Sequence, residues 1–166
     1  MIELNEKQKS LIEKVRGIAQ KIALRNREVD ETSEFPWDIF NTFKENRILD
    51  LPLPENFGGG GADSLTCCLV LEEIARLSPS SAHMLAGHWL GFMPLELFCN
   101  PFQREKYFPR LRSEMAAFSL TEPAAGSDAG GVITEAKKDG DHYVLNGTKI
   151  YCTQGNVANI ITVFAK

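Results

Sequence analysis

Near residue 114 the hydrophobic period of the chain changes, and that change restricts it to folds in which a helical region precedes a β region. Before this point apolar residues return every three or four positions. Leu4, Leu11, Ile12, Val15, Ile18, Ala19 and Ile22 make one such stripe, the pattern of an amphipathic helix. Asn5 and Gln8 are spaced as a capping box, and Lys7, Lys14, Lys21 and Arg25 on the other face read as solvated. Pro36 marks the first position of a second helix, in which Trp37, Phe40 and Phe43 recur at three-residue intervals. After Met115, Val132, Thr134 and Ala136 alternate with other residues, and residues 160–164 are rich in β-branched side chains. Asp139-Gly140 and Asn146-Gly147 are hairpin-type dipeptides, since both tolerate the positive φ of tight turns. The reading is α+β: an N-terminal helical bundle over residues 1–114, then a partial antiparallel β domain over residues 115–166.

Three further helices are expected between these regions. The run LPLPENFGGGG at residues 51–61 cannot stay helical, because proline removes backbone donors and glycine is costly to order. Its glycines read as a turn rather than a phosphate cradle, as no GK[ST] follows and no strand clearly precedes them. Asp63 and Ser64 are N-cap types opening LTCCLVLEEIARL, which is apolar on most sides and predicts a deeply buried helix with Glu72 and Glu73 as exceptions. Ser78-Pro79 and Asn100-Pro101 each pair an N-cap residue with proline in the first turn, predicting helices to about Phe98 and Arg112. Residues 78–95 carry Pro79, His83, Gly87, His88, Gly91 and Pro94, which suits a core helix better than a membrane span. His83 and His88 lie on different sides of it and fit no HExxH pattern, so they read as a packed or partly exposed pair.

Composition excludes some classes. With 43% hydrophobic and 24% charged residues the chain is globular, and a net charge of -4 disfavours nucleic acid as a partner. Cys67, Cys68, Cys99 and Cys152 show no CxxC spacing, so neither a zinc site nor a disulfide framework is indicated. The N-terminus mixes Glu3, Glu6, Lys7 and Lys9 without an apolar stretch, which is not a secretory signal. A cytoplasmic protein with reduced thiols and no membrane span is expected. The chain stops just after the strand-like IITVFA, whose edge needs a partner or a cover. A fragment, or a subunit completed by another chain, is the expectation.

The most chemically specific segment is FSLTEPAAGSD at residues 118–128, where a strand passes into a loop. Pro123 fixes φ, Gly126 permits close backbone approach, and the amides around Gly126, Ser127 and Asp128 suit an anionic group. Thr121 and Ser127 supply hydroxyls, but no nearby histidine completes a hydrolytic triad. A loop that merely turns a corner is an equal reading of the residues taken alone.

TEPAAGSD resembles the TEPGAGSD signature of the acyl-CoA dehydrogenase family, and LNGTKIYCTQG resembles its LNGxKxWITNG segment. PENFGGGGADSLTCCLVLEEIAR and REKYFPRLRSEMAAFSLTEP are similar to the family's stretches upstream, so the resemblance covers essentially the whole chain. It implies an N-terminal helical domain and part of the middle β domain, with the family's C-terminal helical domain absent. It also implies an FAD enzyme that converts an acyl-CoA thioester to a trans-2-enoyl-CoA and passes electrons to an electron-transfer flavoprotein. By the same resemblance Phe118, Leu120 and Thr121 line the flavin, Gly126 and Ser127 meet flavin or CoA phosphate, and Tyr151 and Thr153 flank the isoalloxazine ring. Ser127 is also the expected substrate contact.

Three positions depart from the family pattern: Ala124 replaces glycine, Tyr151 replaces tryptophan and Gln154 replaces asparagine. The catalytic base is expected beyond Lys166, so Glu72, Glu73 and Glu122 read as packing, solvated or loop-bonding carboxylates. The chain alone is therefore expected to be incompetent, and the complete protein to be a homotetramer. Two other readings stand beside this one. One is a noncatalytic acyl-CoA-binding or interaction module on the same scaffold; the other is a flavin oxidase such as the acyl-CoA or nitroalkane oxidases, which oxygen consumption separates from a dehydrogenase.

Overall fold

The computed structural model describes residues 3–166. Helix α1 (Glu6–Ala23) begins with the expected capping box: Asn5 Oδ1 accepts from the Gln8 amide at 2.9 Å, and Gln8 Oε1 accepts from the Asn5 amide at 3.1 Å. Its buried face is Val15, Ile18, Ala19 and Ile22. Helix α3 (Trp37–Glu45) buries Ile39, Phe40 and Phe43, but Pro36 is its N-cap rather than its first residue and Trp37 is 46% exposed. In helix α4 (Ser64–Ala75) Asp63 caps the Thr66 amide at 2.8 Å, as its residue type predicts.

Two helical expectations are corrected. A short helix, α2 (Asn26–Thr32), was not anticipated because NREVDET has only Val29 to mark a period. Distant partners tie it down: Asn26 Nδ2 donates to the Leu77 carbonyl at 2.7 Å and Asn26 Oδ1 accepts from Ser78 Oγ at 2.6 Å. Ser78 is the N-cap residue of the helix that follows, as expected, but its hydroxyl makes no cap bond to that helix's amides. Helix α4 is also not deeply buried; only Val70 and Ile74 are enclosed, and Leu65 and Cys68 face outward. A nearly uniform apolar sequence gives no direction, and the neighbouring helices cover just one side of it.

Helix α5 (Pro79–Phe98) is the central element, burying nine residues from Ser81 to Phe92. No described helix is long and apolar enough to cross a membrane. Helix α6 (Pro101–Tyr107) carries a second capping box, between Asn100 and Gln103, and a short 3-10 turn at Arg110–Arg112 leads out of the helical region. The described residues thus hold six α-helices.

Four short strands follow: β1 (Ala116–Ser119), β2 (Glu135–Asp139), β3 (His142–Asn146) and β4 (Ile160–Val163). Strands β2 and β3 form the expected antiparallel hairpin, in register from Glu135↔Asn146 to Asp139↔His142. Gly140, at φ +61°, supplies the turn. Strands β1 and β4 pair in parallel, Ala116 with Ile160 and Ser119 with Val163, which the local pattern did not reveal. Asn146-Gly147 is not a hairpin turn. A Cβ on Gly147 would fall 2.3 Å from Thr134 Oγ1, so this glycine lets the chain cross close over Thr134. The last residues join the two pairs, because Phe164 N donates to Ser119 O at 3.0 Å and Lys166 N to Thr134 O at 2.8 Å.

One face of α5 fastens the helical and β regions together. His88 Nδ1 accepts from the Ala116 amide at 3.0 Å, and Gly91 O accepts from Thr162 Oγ1 at 2.8 Å. A Cβ on Gly91 would lie 2.8–2.9 Å from the Ala117 backbone, so β1 packs directly on the helix axis at that glycine. Burial holds the His88 imidazole neutral, pushing its pKa down from 6.5 to about 4.

Candidate functional site

Strand β1 ends at Ser119 and delivers Leu120 and Thr121 to a turn closed by reciprocal hydrogen bonds, Glu122 N to Ala125 O at 3.0 Å and Ala125 N to Glu122 O at 3.1 Å. Pro123 fits the first corner of that turn because its φ is preset. The segment that follows β3 runs back alongside, and the Ile150 amide donates to the Thr121 carbonyl at 2.8 Å. This bond, together with those of Lys149 described below, brings together the two segments singled out from the sequence, and the β2–β3 hairpin is the device that returns the chain.

Glu122 is the internal brace. It is 3% exposed, and its oxygens accept from the Ile133 amide at 2.7 Å, the Thr134 amide at 3.0 Å and Thr134 Oγ1 at 2.5 Å. Lys149 Nζ donates to the same carboxylate at 2.6 Å and to the Leu120 carbonyl at 2.9 Å. Lys149 first and then the Thr134 hydroxyl, joined by the Ile133 and Thr134 amides, hold the Glu122 carboxyl down to about 2 against the opposing effect of desolvation. A carboxylate so strongly held as the anion is a poor proton acceptor, which excludes it as a base near neutral pH. Glu73 is likewise occupied, in a paired hydrogen bond to Arg16 at 3.0–3.1 Å. Glu72 is exposed on α4. The cysteines are all free, and burial pushes the Cys67 thiol up to about 12, so it is no nucleophile.

Each residue named from the sequence has a defined place. Phe118 is half-buried, with its ring centroid 5.1 Å from that of Phe164, and Leu120 and Thr121 are half-buried beside it. Gly126 and Ser127 lie on an exposed turn, and a Cβ at Gly126 would meet nothing within 4 Å. Tyr151 is 87% exposed at φ +56°. Thr153 packs on α5, where its Oγ1 is 3.2 Å from His83 Nε2. Gln154, at φ +53°, donates to the Met84 and Ala116 carbonyls at 3.1 Å each. Two non-glycine residues at positive φ within four positions are costly, about 1–3 kcal/mol each, and this segment is held there by the Gln154 and Ile150 bonds.

The arrangement offers an exposed aromatic ring, two half-buried apolar residues, two threonine hydroxyls and an open turn of backbone amides on neighbouring segments. That donor set suits a flat heteroaromatic group carrying a phosphate, so the residues present fit FAD. Elsewhere, an apolar cleft of about 450 Å³ runs between α4 and α5, lined by Cys67, Leu71, Trp89, Phe92 and Met93 among others.

The positions missed from the sequence are Lys149 and the α5 face that carries His83, Gly87, His88 and Gly91. The signal for the second was available, since two glycines four apart inside a helix mark a close approach.

Residues 5–115 match the family model for the acyl-CoA dehydrogenase N-terminal domain, and residues 117–166 match that for the middle domain. A cyclohex-1-ene-1-carbonyl-CoA dehydrogenase of Syntrophus aciditrophicus is 43% identical over 99% of this chain and 41% of its own length. An acyl-CoA dehydrogenase of Bacillus anthracis complexed with FAD superposes with a TM-score of 0.88 at 32% identity, over 99% of this chain and 30% of that one. An electron transferring flavoprotein structure from Acidaminococcus fermentans, described in terms of flavin-based electron bifurcation, superposes at 0.93 and 31% identity, over 99% of this chain and 44% of that one. The chain spans about two fifths of the length of the curated relatives it matches. With both domain types matched in order, on a fold that superposes along its whole length, the chain belongs to the acyl-CoA dehydrogenase family.

Proposed function

We propose that the protein containing this chain is an FAD-dependent oxidoreductase that converts an acyl-CoA thioester to a trans-2-enoyl-CoA, with an electron-transfer flavoprotein as acceptor. The observation that carries the reading is the 2.8 Å bond from the Ile150 amide to the Thr121 carbonyl, which sets the two signature segments side by side. Phe118, Leu120 and Thr121 would line one part of the flavin, with Tyr151 and Thr153 flanking its ring. Gly126 and Ser127 would meet a phosphate of the flavin or of CoA, Ser127 being the residue nearest the substrate. FAD bound there supplies the two-electron acceptor that α,β-dehydrogenation requires.

The chain's own contribution is orientation and exclusion of water. Thr121 and Thr153 offer hydroxyls to the polar edge of the ring, and the apolar cleft between α4 and α5 gives an acyl chain a dry wall. No carboxylate of the chain is offered as the base: Glu122 and Glu73 are committed to cationic partners and Glu72 is solvated. The 166-residue chain alone is accordingly incompetent, and the complete protein is a cytoplasmic homotetramer of fatty acid or related acyl metabolism. Dye reduction with a panel of acyl-CoA thioesters tests this, on the complete reading frame and on the 166-residue chain with added FAD. Activity is expected in the first and none in the second. Dye reduction by the short chain refutes its incompetence, and a complete protein that retains no FAD refutes the functional reading. Oxygen uptake coupled to turnover identifies an oxidase instead.

A further inference from the structure

The cleft between α4 and α5 is joined to the rim of the candidate site by a second depression. This shallower groove, of about 480 Å³, continues along the same two helices and shares Cys68, Leu71 and Ala86 with the cleft. At its other end the groove reaches His83, whose Nε2 lies 3.2 Å from Thr153 Oγ1. One channel therefore follows α5 from the threonine expected beside the flavin ring to Met93 and Glu96.

Two properties of the channel bear on what it can hold. The first is its length. Ala82 and Ala86, one helical turn apart, line it on the α5 side, so no bulky side chain of that helix interrupts it there. From His83 to Met93 the helix rises about 15 Å, the reach of about ten to twelve carbons of an extended alkyl chain with bonds of about 1.5 Å. The second property is charge. Glu72 lines the groove, and Asp63 and Glu96 line the cleft; among the described residues no lysine or arginine lines either. An apolar tail gains by leaving water for such a channel. A terminal carboxylate gives up its hydration with no cation to receive it and carboxylates at both ends of its path.

We propose that the acyl tail of the substrate lies along this channel, so that the enzyme takes neutral, apolar acyl chains of up to about ten to twelve carbons and rejects those that end in a carboxylate. Ala86, where groove and cleft meet, sets the length accepted, and Glu96 at the far end enforces the charge. The proposal deepens the acyl-CoA reading above and rests on it.

The test is steady-state turnover by the complete FAD-loaded protein with butyryl-CoA, decanoyl-CoA and the decanoyl thioester that carries a terminal carboxylate, in wild type, Ala86→Phe and Glu96→Lys. Circular dichroism checks that each variant is folded. In wild type kcat/KM should be higher for decanoyl-CoA than for butyryl-CoA, and lower for the carboxylate-ended thioester than for decanoyl-CoA by about 100-fold. Ala86→Phe should lower the ratio of decanoyl to butyryl kcat/KM by about tenfold, chiefly through KM. Glu96→Lys changes an exposed side chain and should raise kcat/KM for the carboxylate-ended thioester, relative to decanoyl-CoA, by about fivefold. A wild type that accepts the carboxylate-ended thioester as well as decanoyl-CoA, or that prefers butyryl-CoA, overturns the proposal alone. So does an unchanged decanoyl to butyryl ratio in folded Ala86→Phe, or unchanged discrimination in Glu96→Lys. A complete protein that turns over no acyl-CoA thioester overturns the functional reading, and this proposal with it.

Discussion

Acidification from about pH 7.5 to pH 5 should weaken the fold at one identifiable residue, His88. It is 1% exposed, and its Nδ1 accepts from the Ala116 amide at 3.0 Å where α5 meets β1. Burial depresses its pKa to about 4, although Asp50 and the carbonyls of Leu111 and Leu49 push the other way. The unfolded chain takes up this proton near the ordinary value of 6.5 while the folded chain refuses it, so stability is full above about pH 6.5 and falls towards pH 4. The shift corresponds to about 3 kcal/mol when complete, of which about 2 kcal/mol is lost by pH 5. Urea midpoints at several pH values read this directly, as a drop of about 1 M for a slope of about 2 kcal/mol/M. Glu73, Glu114, Glu122 and Asp63 are all depressed carboxylates, so their contribution is lost only below about pH 4.5, outside the window. His88→Gln keeps a hydrogen-bond acceptor without the titration, and its midpoint should be nearly flat from about pH 7.5 to pH 5. The same slope in that variant, or a flat wild type, refutes the reasoning.

Gly91→Ala should destabilise by about 1–3 kcal/mol, because the added methyl meets the Ala117 backbone at 2.8–2.9 Å. Gly17→Ala, in an exposed turn of α1 with nothing within 4 Å, should instead gain about 0.5–1 kcal/mol by the same urea measurement. Asn5→Ala removes one half of the capping box on α1 and should cost about 1 kcal/mol. Lys149→Met should raise the Glu122 pKa, read by carboxyl NMR, and speed hydrogen exchange of the Ile150 amide, since Lys149 is the first cause of the depression and also holds the Leu120 carbonyl; unchanged exchange at Ile150 counts against the brace.

What the sequence disclosed was local, and what it hid was not. The capping box at Asn5, the N-cap at Asn100 and the Asp139-Gly140 turn are contacts between residues at most three apart, and all three formed. Ser78 stands at the N-cap as its type suggests, but its hydroxyl answers to Asn26, 52 positions away, rather than to the helix amides. Asn146-Gly147 has the composition of a hairpin turn, yet its glycine serves a close crossing over Thr134, which no local pattern encodes. The parallel pairing of β1 with β4 joins strands separated by 40 intervening residues, so no local pattern announces it. The candidate site was legible as two motifs, while Lys149, the side chain that ties them, was invisible because a lysine in a loop normally reads as solvated.

The rim of the candidate site owes its shape to α5 more than to the strands that carry it. Strands of four or five residues in two-stranded pairs are marginal by themselves, so the β region needs an outside support. Helix α5 provides it at four levels along one face: His83 on Thr153, Gly87 under Thr153 and Gln154, His88 on Ala116, and Gly91 on Ala117 and Thr162. Two of these are glycines because backbone must approach backbone, and two are histidines because a buried amide and a hydroxyl need a partner at that height. Both segments of the rim are thereby referred to the same rigid element, β1 leading into Thr121 and the turn at Thr153 each docking on α5. Their relative position is fixed through the helix as well as through the Ile150 to Thr121 bond. It follows that a change at Gly91, buried in the seam, reaches Thr121 by moving β1, and that the helical region is part of the site although few of its atoms border it.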